Sequence, residues 1–207
     1  MTLQMEASIP AEKKSGLIIE TARLVMRAPC KRDLDGIVAL ANNIKVAEMT
    51  ATIPHPYTRN DAESWLDKVS SGRGHSMVLF SKGDGKRVLV GVAGFGHRGE
   101  EHNPEIGYWI GEPHWRQGFA TEASRALIDH AFSETEIDAL SASCRIHNEA
   151  SRRVIEKCGF QWAGTGLNQV KALGASVPVD RFVLSRRTWE SLRAWGASAL
   201  PTFTKAG

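Results

Sequence analysis

The chain of 207 residues has only three cysteines, and that odd number is widely spaced. Cys30, Cys144 and Cys158 form no metal motif and no disulfide framework. A reducing, cytoplasmic setting suits them, with Cys144 and Cys158 expected as buried thiols. Long hydrophobic runs are also missing. The most apolar stretch, Val88 to Phe95, is broken by Gly91 and Gly94 and is too short to span a bilayer. Lys13 and Lys14 are not followed by the apolar run of a signal peptide. Neither charge dominates: 26 basic against 23 acidic residues give a net charge of +3. That balance argues against a nucleic-acid binder, although a local basic patch could still serve an anionic ligand. No Gly-Lys-Ser/Thr occurs, so the Walker pattern is excluded, and no G-x-G-x-x-G follows a strand, so the dinucleotide fingerprint is excluded too. There is no internal repeat and no low-complexity tract.

Glycine is plentiful and uneven: eleven of the 19 fall between Gly72 and Gly118. Around that cluster the hydrophobic pattern changes period. Residues 1–16 are polar and aperiodic, a flexible leader, and the domain is expected over 17–196 with a tail at 197–207. Leu17 to Arg27 reads as a strand ended by Pro29. Leu34, Ile37, Val38 and Ala41 define an amphipathic helix with Asp33 as its cap. Thr50–Pro56, with two prolines, is a loop. Thr58 and Asp61 form a capping pair ahead of a helix carrying Ala62, Trp65, Leu66 and Val69 on one face. His75–Lys82 and Lys86–Gly96 are strands joined by a Gly83-Asp84-Gly85 hairpin. Pro104–Gly111 is apolar on both faces, which predicts a central strand. A loop over 112–118 leads into a helix with Ala120, Ala123, Leu127, Ile128 and Ala131 on one face. A strand at Asp138–Ile146, a helix at Asn148–Cys158 closed by Gly159, strands at 160–164 and 179–185, and a helix at Thr188–Trp195 complete the chain. Hairpin-linked and helix-linked strands together require a mixed α/β sheet with helices on both faces.

Two segments carry chemistry. In the first, Ile106-Gly107-Tyr108-Trp109-Ile110 runs through a short loop into Trp115-Arg116-Gln117-Gly118-Phe119-Ala120-Thr121-Glu122-Ala123. Small residues at a helix start let backbone N–H groups approach an anion, and the helix N-terminus and Arg116 add positive charge. The pattern suits a diphosphate; the plainer alternative is a tight strand-to-helix turn in which Gly118 only relieves strain. In the second, Asn148 to Phe160, Asn148 stands at a strand-to-helix junction with Ser151 one turn later. Asn148 is a good N-cap in its own right.

Together, "EIGYWI", "HWRQGFATEA" and "NEASRRVIEKCGF" resemble the GNAT acetyltransferase superfamily, nearest to its RimJ/RimL-type ribosomal-protein N-acetyltransferases, over residues 17–190. Trp115 fills the first slot of the family's phosphate signature and Ala120 the last. The resemblance implies an α/β (α+β) fold, a mixed, mostly antiparallel sheet whose central strand splays from Asp138–Ile146. It implies acetyl-CoA as cosubstrate and no metal. The pantetheine arm would pair with backbone around Trp109, Ile110 and Gly111. The diphosphate would rest on Arg116, Gln117, Gly118, Phe119, Ala120 and Thr121, with Asn148, Ser151 and Arg152 as further cofactor contacts.

Acyl transfer to an amine needs a base for the ammonium, a donor for the oxyanion and a donor for the departing thiolate. The resemblance points to Glu105 as base, directly or through water, and to Ser151 as thiolate donor, with a backbone N–H near Trp109 or Ile110 facing the oxyanion. Each has a plainer alternative: Glu105 as a solvated carboxylate, Ser151 as a first-turn helix serine. Some relatives carry an acid in the region of Asn168–Gly174, where this chain has Val170-Lys171-Ala172. The partner implied is a primary amine: a protein N-terminus, an amino acid, a polyamine or an aminoglycoside. Lack of an acidic run favours a peptide or small amine. Neither nucleic acid nor membrane is expected; a homodimer is left open. The rival function is an idle acyl-CoA-binding module, which would need neither Glu105 nor Ser151. His97, His102 and His114 read as surface or cap residues, and Trp65, Trp162, Trp189 and Trp195 as core or interface. His55, Tyr57 and Trp65 lie where the family walls its acceptor pocket.

Overall fold

The computed structural model describes residues 17–72, 75–83, 85–97 and 103–198. The expected leader, Asp84 of the hairpin, Gly99, His102 and the chain beyond 198 lie outside the described residues. Strands β1 (Ile18–Glu20) and β2 (Leu24–Arg27) form a hairpin where the sequence reads as one strand. The break is at Thr21, whose amide donates to the Leu24 carbonyl while its hydroxyl accepts from the Leu24 amide, both at 3.0 Å. Such a side-chain-closed turn leaves no mark in hydrophobic period. Helix α1 (Leu34–Ala41) follows as expected. Asp33 does not cap it, because its carboxylate accepts from the Arg27 guanidinium at 2.7 and 2.8 Å and from the Cys30 amide at 2.8 Å. Burial alone would raise the Asp33 pKa; these bonds outweigh it and hold the group below the usual carboxylate range. A four-residue helix, α2 (Ile44–Ala47), is capped by Asn43 and is too short to show periodicity in sequence. Helix α3 (Arg59–Ser70) has the expected capping box between Thr58 and Asp61.

Strands β3 (His75–Lys82) and β4 (Arg87–Gly96) pair antiparallel, and β5 (Glu105–Ile110) pairs antiparallel with β4. Helix α4 (Phe119–Glu134), β6 (Ala139–Arg145) and α5 (Glu149–Lys157) follow. The last strands, β7 (Gln161–Val170) and β8 (Ala175–Ser185), extend beyond the 160–164 and 179–185 read from sequence. In the added part of β7 the inward positions hold Gly166, Asn168 and Val170 while Leu167 faces out, so hydrophobicity does not follow the alternation. Gly174, at φ +60°, turns one into the other. Helix α6 (Arg186–Ser198) starts two residues ahead of the expected Thr188 and extends past the expected boundary.

The sheet order is β1-β2-β3-β4-β5-β6-β8-β7, antiparallel everywhere except between β5 and β6. One core lies between the sheet and α4, α5 and α6, centred on Leu127, Phe132, Leu140 and Phe182. The other, with Leu34, Ile37, Leu66 and Val92, is covered by α1, α2 and α3. Helices thus cover both faces. Trp65 and Trp189 pack against these cores, but Trp162 and Trp195 are 59% and 77% exposed and belong to neither.

Two of the clustered glycines set how closely β4 lies against its neighbours. A Cβ on Gly91 would sit 2.2 Å from the Trp109 carbonyl oxygen, and one on Gly94 would sit 2.2 Å from that of His75. The β3–β4 register slips beside Gly91, and the displaced Val90 carbonyl accepts from the Gly111 amide at 2.9 Å. Gly107, on β5, has nothing within 4 Å of an added Cβ. We expect Gly91→Ala to cost about 1–3 kcal/mol in urea unfolding, as overpacking does. Gly107→Ala should stay within about 0.5 kcal/mol of the parent. Equal costs for the two would show that close backbone approach at Gly91 does not matter.

Candidate active site

The two central strands barely meet. β5 and β6 share a single registered pair, Glu105 with Ser141, supported by the Ser141 amide donating to the Pro104 carbonyl at 2.9 Å. Beyond it the strands separate, and a groove of about 1380 Å³ opens between them. That exceeds the roughly 1,000 Å³ of a large single-ligand pocket, leaving room for two substrates together. Backbone direction follows from the neighbours. The Pro104 carbonyl faces β6, the Ile110 carbonyl accepts from the Trp115 indole N–H at 2.6 Å, and the Gly111 amide is spent on Val90. Alternation along an antiparallel strand therefore turns the amides of Tyr108 and Ile110 toward the gap and those of Trp109 and Gly111 toward β4. Of the three residues expected to offer backbone there, Ile110 turns its amide to the gap while Trp109 and Gly111 turn theirs to β4; Tyr108 faces the gap as well.

At one end of the groove the chain enters α4. Arg116 (φ +61°) and Gly118 (φ +82°) are both left-handed, and Gly118 is the N-cap without a side-chain bond. Alternating backbone hand of this kind, ahead of a 16-residue helix, gathers N–H groups into an anion-binding cradle. Arg116, Gly118, Phe119, Ala120 and Thr121 line the groove. Gln117 does not: its carbonyl accepts from Arg23 at 2.7 Å, and its side-chain amide reaches Pro113.

The catalytic candidates stand on opposite faces of the sheet. On β5, Tyr108 packs with the α4-side core and Trp109 with the α1–α3 side, so Glu105 shares the face of Trp109. Glu105 accepts from the Ser143 hydroxyl at 2.5 Å, and Ser143 in turn accepts from the Asn168 side chain at 3.1 Å. Ser151 lies on the other face. Its amide donates to the Asn148 side chain at 3.0 Å, and its hydroxyl is 2.9 Å from the Tyr108 hydroxyl. Burial pushes the Tyr108 pKa up, so the phenol stays protonated as a hydrogen-bonding group. Glu105, Tyr108, Asn148 and Ser151 all line the groove. Asn148 is thus both the helix cap and a wall of the site.

Tyr108, Ser143 and Asn168 were missed from sequence. Tyr108 lay inside the quoted motif, where its place opposite Trp109 follows once the strand is known. Ser143 and Asn168 come from β6 and β7 with no local signal. Arg152, expected as a cofactor contact, does not line the groove. Its guanidinium pairs with buried Asp180, which also accepts from the Trp162 indole at 3.1 Å, and it leaves the groove wall to Arg153. His97, His114, Tyr57 and Trp65 line the groove, whereas His55 is exposed and does not. Burial raises the Tyr57 pKa to about 12. Above the acceptor side, the Lys171 amide donates to the Ala51 carbonyl at 3.1 Å, and Arg145 donates to the Glu48 carbonyl at 2.9 Å. These contacts strap the loop after α2 to β6 and the β7–β8 turn. Among the described residues no group of His, Cys, Asp and Glu could hold a metal ion, and no helix is long and apolar enough to cross a membrane.

This geometry has known counterparts. The pattern of the acetyltransferase (GNAT) domain matches residues 23–161. The uncharacterized N-acetyltransferase YoaA of Bacillus subtilis is 31% identical over 71% of this chain and 84% of its own length. The ribosomal-protein-serine acetyltransferase of Escherichia coli is 39% identical over 35% of this chain and 41% of its own. In fold, the spermidine N-acetyltransferase of Vibrio cholerae, solved with CoA and spermine, superposes with a TM-score of 0.69 at 19% identity, covering 82% of this chain and 99% of that one. The chain belongs to the GNAT acetyltransferase family, with ribosomal-protein acetyltransferases among its relatives, and is an acetyl-CoA-dependent acyltransferase.

Burial pushes the Cys144 and Cys158 thiols up to about 11, so both stay protonated at neutral pH. Cys30 is exposed. Iodoacetamide at pH 8 should therefore label the native protein at Cys30 alone and the denatured protein at all three positions. Mass spectrometry reads the difference, and rapid native labelling of Cys144 would contradict its burial.

Proposed function

We propose that the protein transfers an acetyl group from acetyl-CoA to a primary amine by direct attack in a ternary complex. The acceptor is a protein N-terminus or a small-molecule amine. The observation that carries this reading is convergence: the anion cradle at the start of α4, the unpaired stretch of β5 and the Glu105 and Ser151 side chains all open into one groove. Glycine and alanine at positions 118 and 120 leave room for a diphosphate against the backbone. Tyr108 and Ile110 offer gap-facing backbone to a pantetheine amide, and the Ile110 N–H is aimed where an oxyanion would form.

Glu105 takes the ammonium proton, directly or through water, held in place by Ser143 and Asn168. Ser151 donates to the departing thiolate, its hydroxyl oriented by Tyr108. Asn168 stands where some relatives carry an acid; here it braces the Glu105 network and supplies no second base. Tyr57, Trp65 and the strapped loop over 50–56 wall the acceptor side. Relatives named for ribosomal-protein serine and for spermidine show that one fold serves peptide and polyamine acceptors alike. The absence of an acidic run in this chain favours the peptide or small-amine choice.

The test is acetyl-CoA-dependent thiol release across a panel of peptides, amino acids, polyamines and aminoglycosides. At least one amine should be turned over. Clear acetyl-CoA binding with no turnover on any amine would point instead to an idle acyl-CoA-binding module. With an acceptor in hand, Glu105→Gln should lower kcat by about 10²–10⁴-fold at neutral pH, the usual range for losing a positioned base. An unchanged rate at saturating amine would remove Glu105 from that role. Gly118→Val should abolish CoA binding, since a β-branched residue is strained at φ +82° and its Cβ would meet the Arg23 guanidinium, so the loop could not keep its shape.

A further inference from the structure

Arg23 lies in the turn between β1 and β2, nearly a hundred residues from the cradle it touches. Four donors converge on the Glu122 carboxylate in the first turn of α4. The Thr21 hydroxyl reaches it at 2.6 Å, the Arg23 amide at 2.8 Å, and the Arg23 guanidinium at 2.7 and 2.8 Å. The third guanidinium nitrogen donates to the Gln117 carbonyl at 2.7 Å, and the plane lies 5.1 Å from the Phe119 ring centroid. Its Nη2 comes within 3.2 Å of where a Cβ on Gly118 would stand. The turn itself is fixed to β3, because the Lys82 amide donates to the Arg23 carbonyl and the Lys82 ammonium to the Thr21 carbonyl, at 2.8 and 2.7 Å.

Two consequences follow for an anion at the cradle. A carbonyl and an amide on neighbouring peptide units compete to face the same concavity. Arg23 holds the Gln117 oxygen outside it, which leaves the N–H groups of the loop to line the inside. A carboxylate in the first turn would also repel a diphosphate at the helix N-terminus. Burial works to raise the Glu122 pKa, but its bonds from Thr21 and Arg23 prevail and lower it, so the group is charged and needs the neutralisation Arg23 supplies.

We propose that Arg23 is a positioning residue for cofactor binding: it locks the loop over 116–118 in its anion-binding shape and cancels the charge of Glu122, without itself gripping the phosphates. This rests on the reading of the α4 N-terminus as the diphosphate site. Arg23→Ala frees the Gln117 carbonyl and uncovers Glu122. Arg23→Lys keeps the charge near Glu122 but cannot span Glu122 and Gln117 together, since Lys lacks the planar fork.

The test is calorimetric titration of the full-length protein and its variants with CoA, alongside thermal unfolding and acetyl-CoA kinetics. Arg23→Ala should weaken CoA binding roughly tenfold, the factor that corresponds to one charge-assisted hydrogen bond. Arg23→Lys should weaken it by about threefold or more. In both, the change should fall on KM for acetyl-CoA rather than on kcat, and activity with S-acetylpantetheine, which has no diphosphate, should be far less affected. A residue with only a structural role would lower both thioesters together. CoA affinity within twofold of the parent in either folded variant would overturn the proposal; should Arg23→Ala fail to fold, Arg23→Lys decides. The two readings fail differently. If the parent protein does not bind CoA, or Gly118→Val binds it normally, the diphosphate site itself is lost. If both hold and the Arg23 variants bind like the parent, only the positioning role is lost.

Discussion

A sheet is held together by its ladder, and this one gives up the ladder at its centre. β5 and β6 are joined through Glu105 and Ser141 and then part, although both lie inside an eight-stranded sheet. Parting leaves backbone donors and acceptors facing a gap, which a folded chain tolerates only where something else can bond them. Part of the demand is met within the protein, where Trp115 takes the Ile110 carbonyl. The rest faces the groove. The start of α4, Glu105, Ser151 and Tyr57 all open onto that interrupted ladder.

The same interruption explains the division of labour among side chains. Alternation on β5 sends Glu105 and Trp109 to one face and Tyr108 to the other. In the proposed reaction this places the base and the thiolate donor on either side of the reacting bond. Each is braced by residues from other strands and helices: Ser143 and Asn168 behind Glu105, Tyr108 and Asn148 around Ser151.

How much of this could be read from the sequence depends on whether the signal is local. The Thr58–Asp61 capping box, the central character of 104–111 and the helix start after Gly118 are local patterns, and each falls where it was read. The split of the first strand was hidden because a threonine hydroxyl, not a turn dipeptide, closes it. β7 was cut short because the inward positions of its added part hold Gly166 and Asn168 while Leu167 faces out, so hydrophobicity shows no period there. Arg152 and Arg153 are adjacent and chemically alike, and only the buried Asp180 on β8 decides which of them leaves the groove. Tyr108, Ser143, Asn168 and Arg23 become meaningful through partners between 25 and 99 positions away, beyond the reach of spacing. The glycine cluster divides into strand contacts at Gly91 and Gly94, a hairpin, and Gly118 at the start of α4.

The strap over the groove changes how the molecule behaves mechanically. With one bridge between β5 and β6, the sheet is two plates, β1–β5 and β6–β8, that could hinge at Glu105. On one side α4 and α5 hold the plates together through a shared core. On the other, the Glu105–Ser143 bond, the Arg145–Glu48 and Lys171–Ala51 contacts and Ala172 packed against the α1–α3 core reach across. The width of the slot is therefore set at a few such points rather than along its length by a ladder. In the proposed ternary complex, an acceptor wedged against that rim would work with leverage on the gap, so its size would be felt deep in the slot without any contact there.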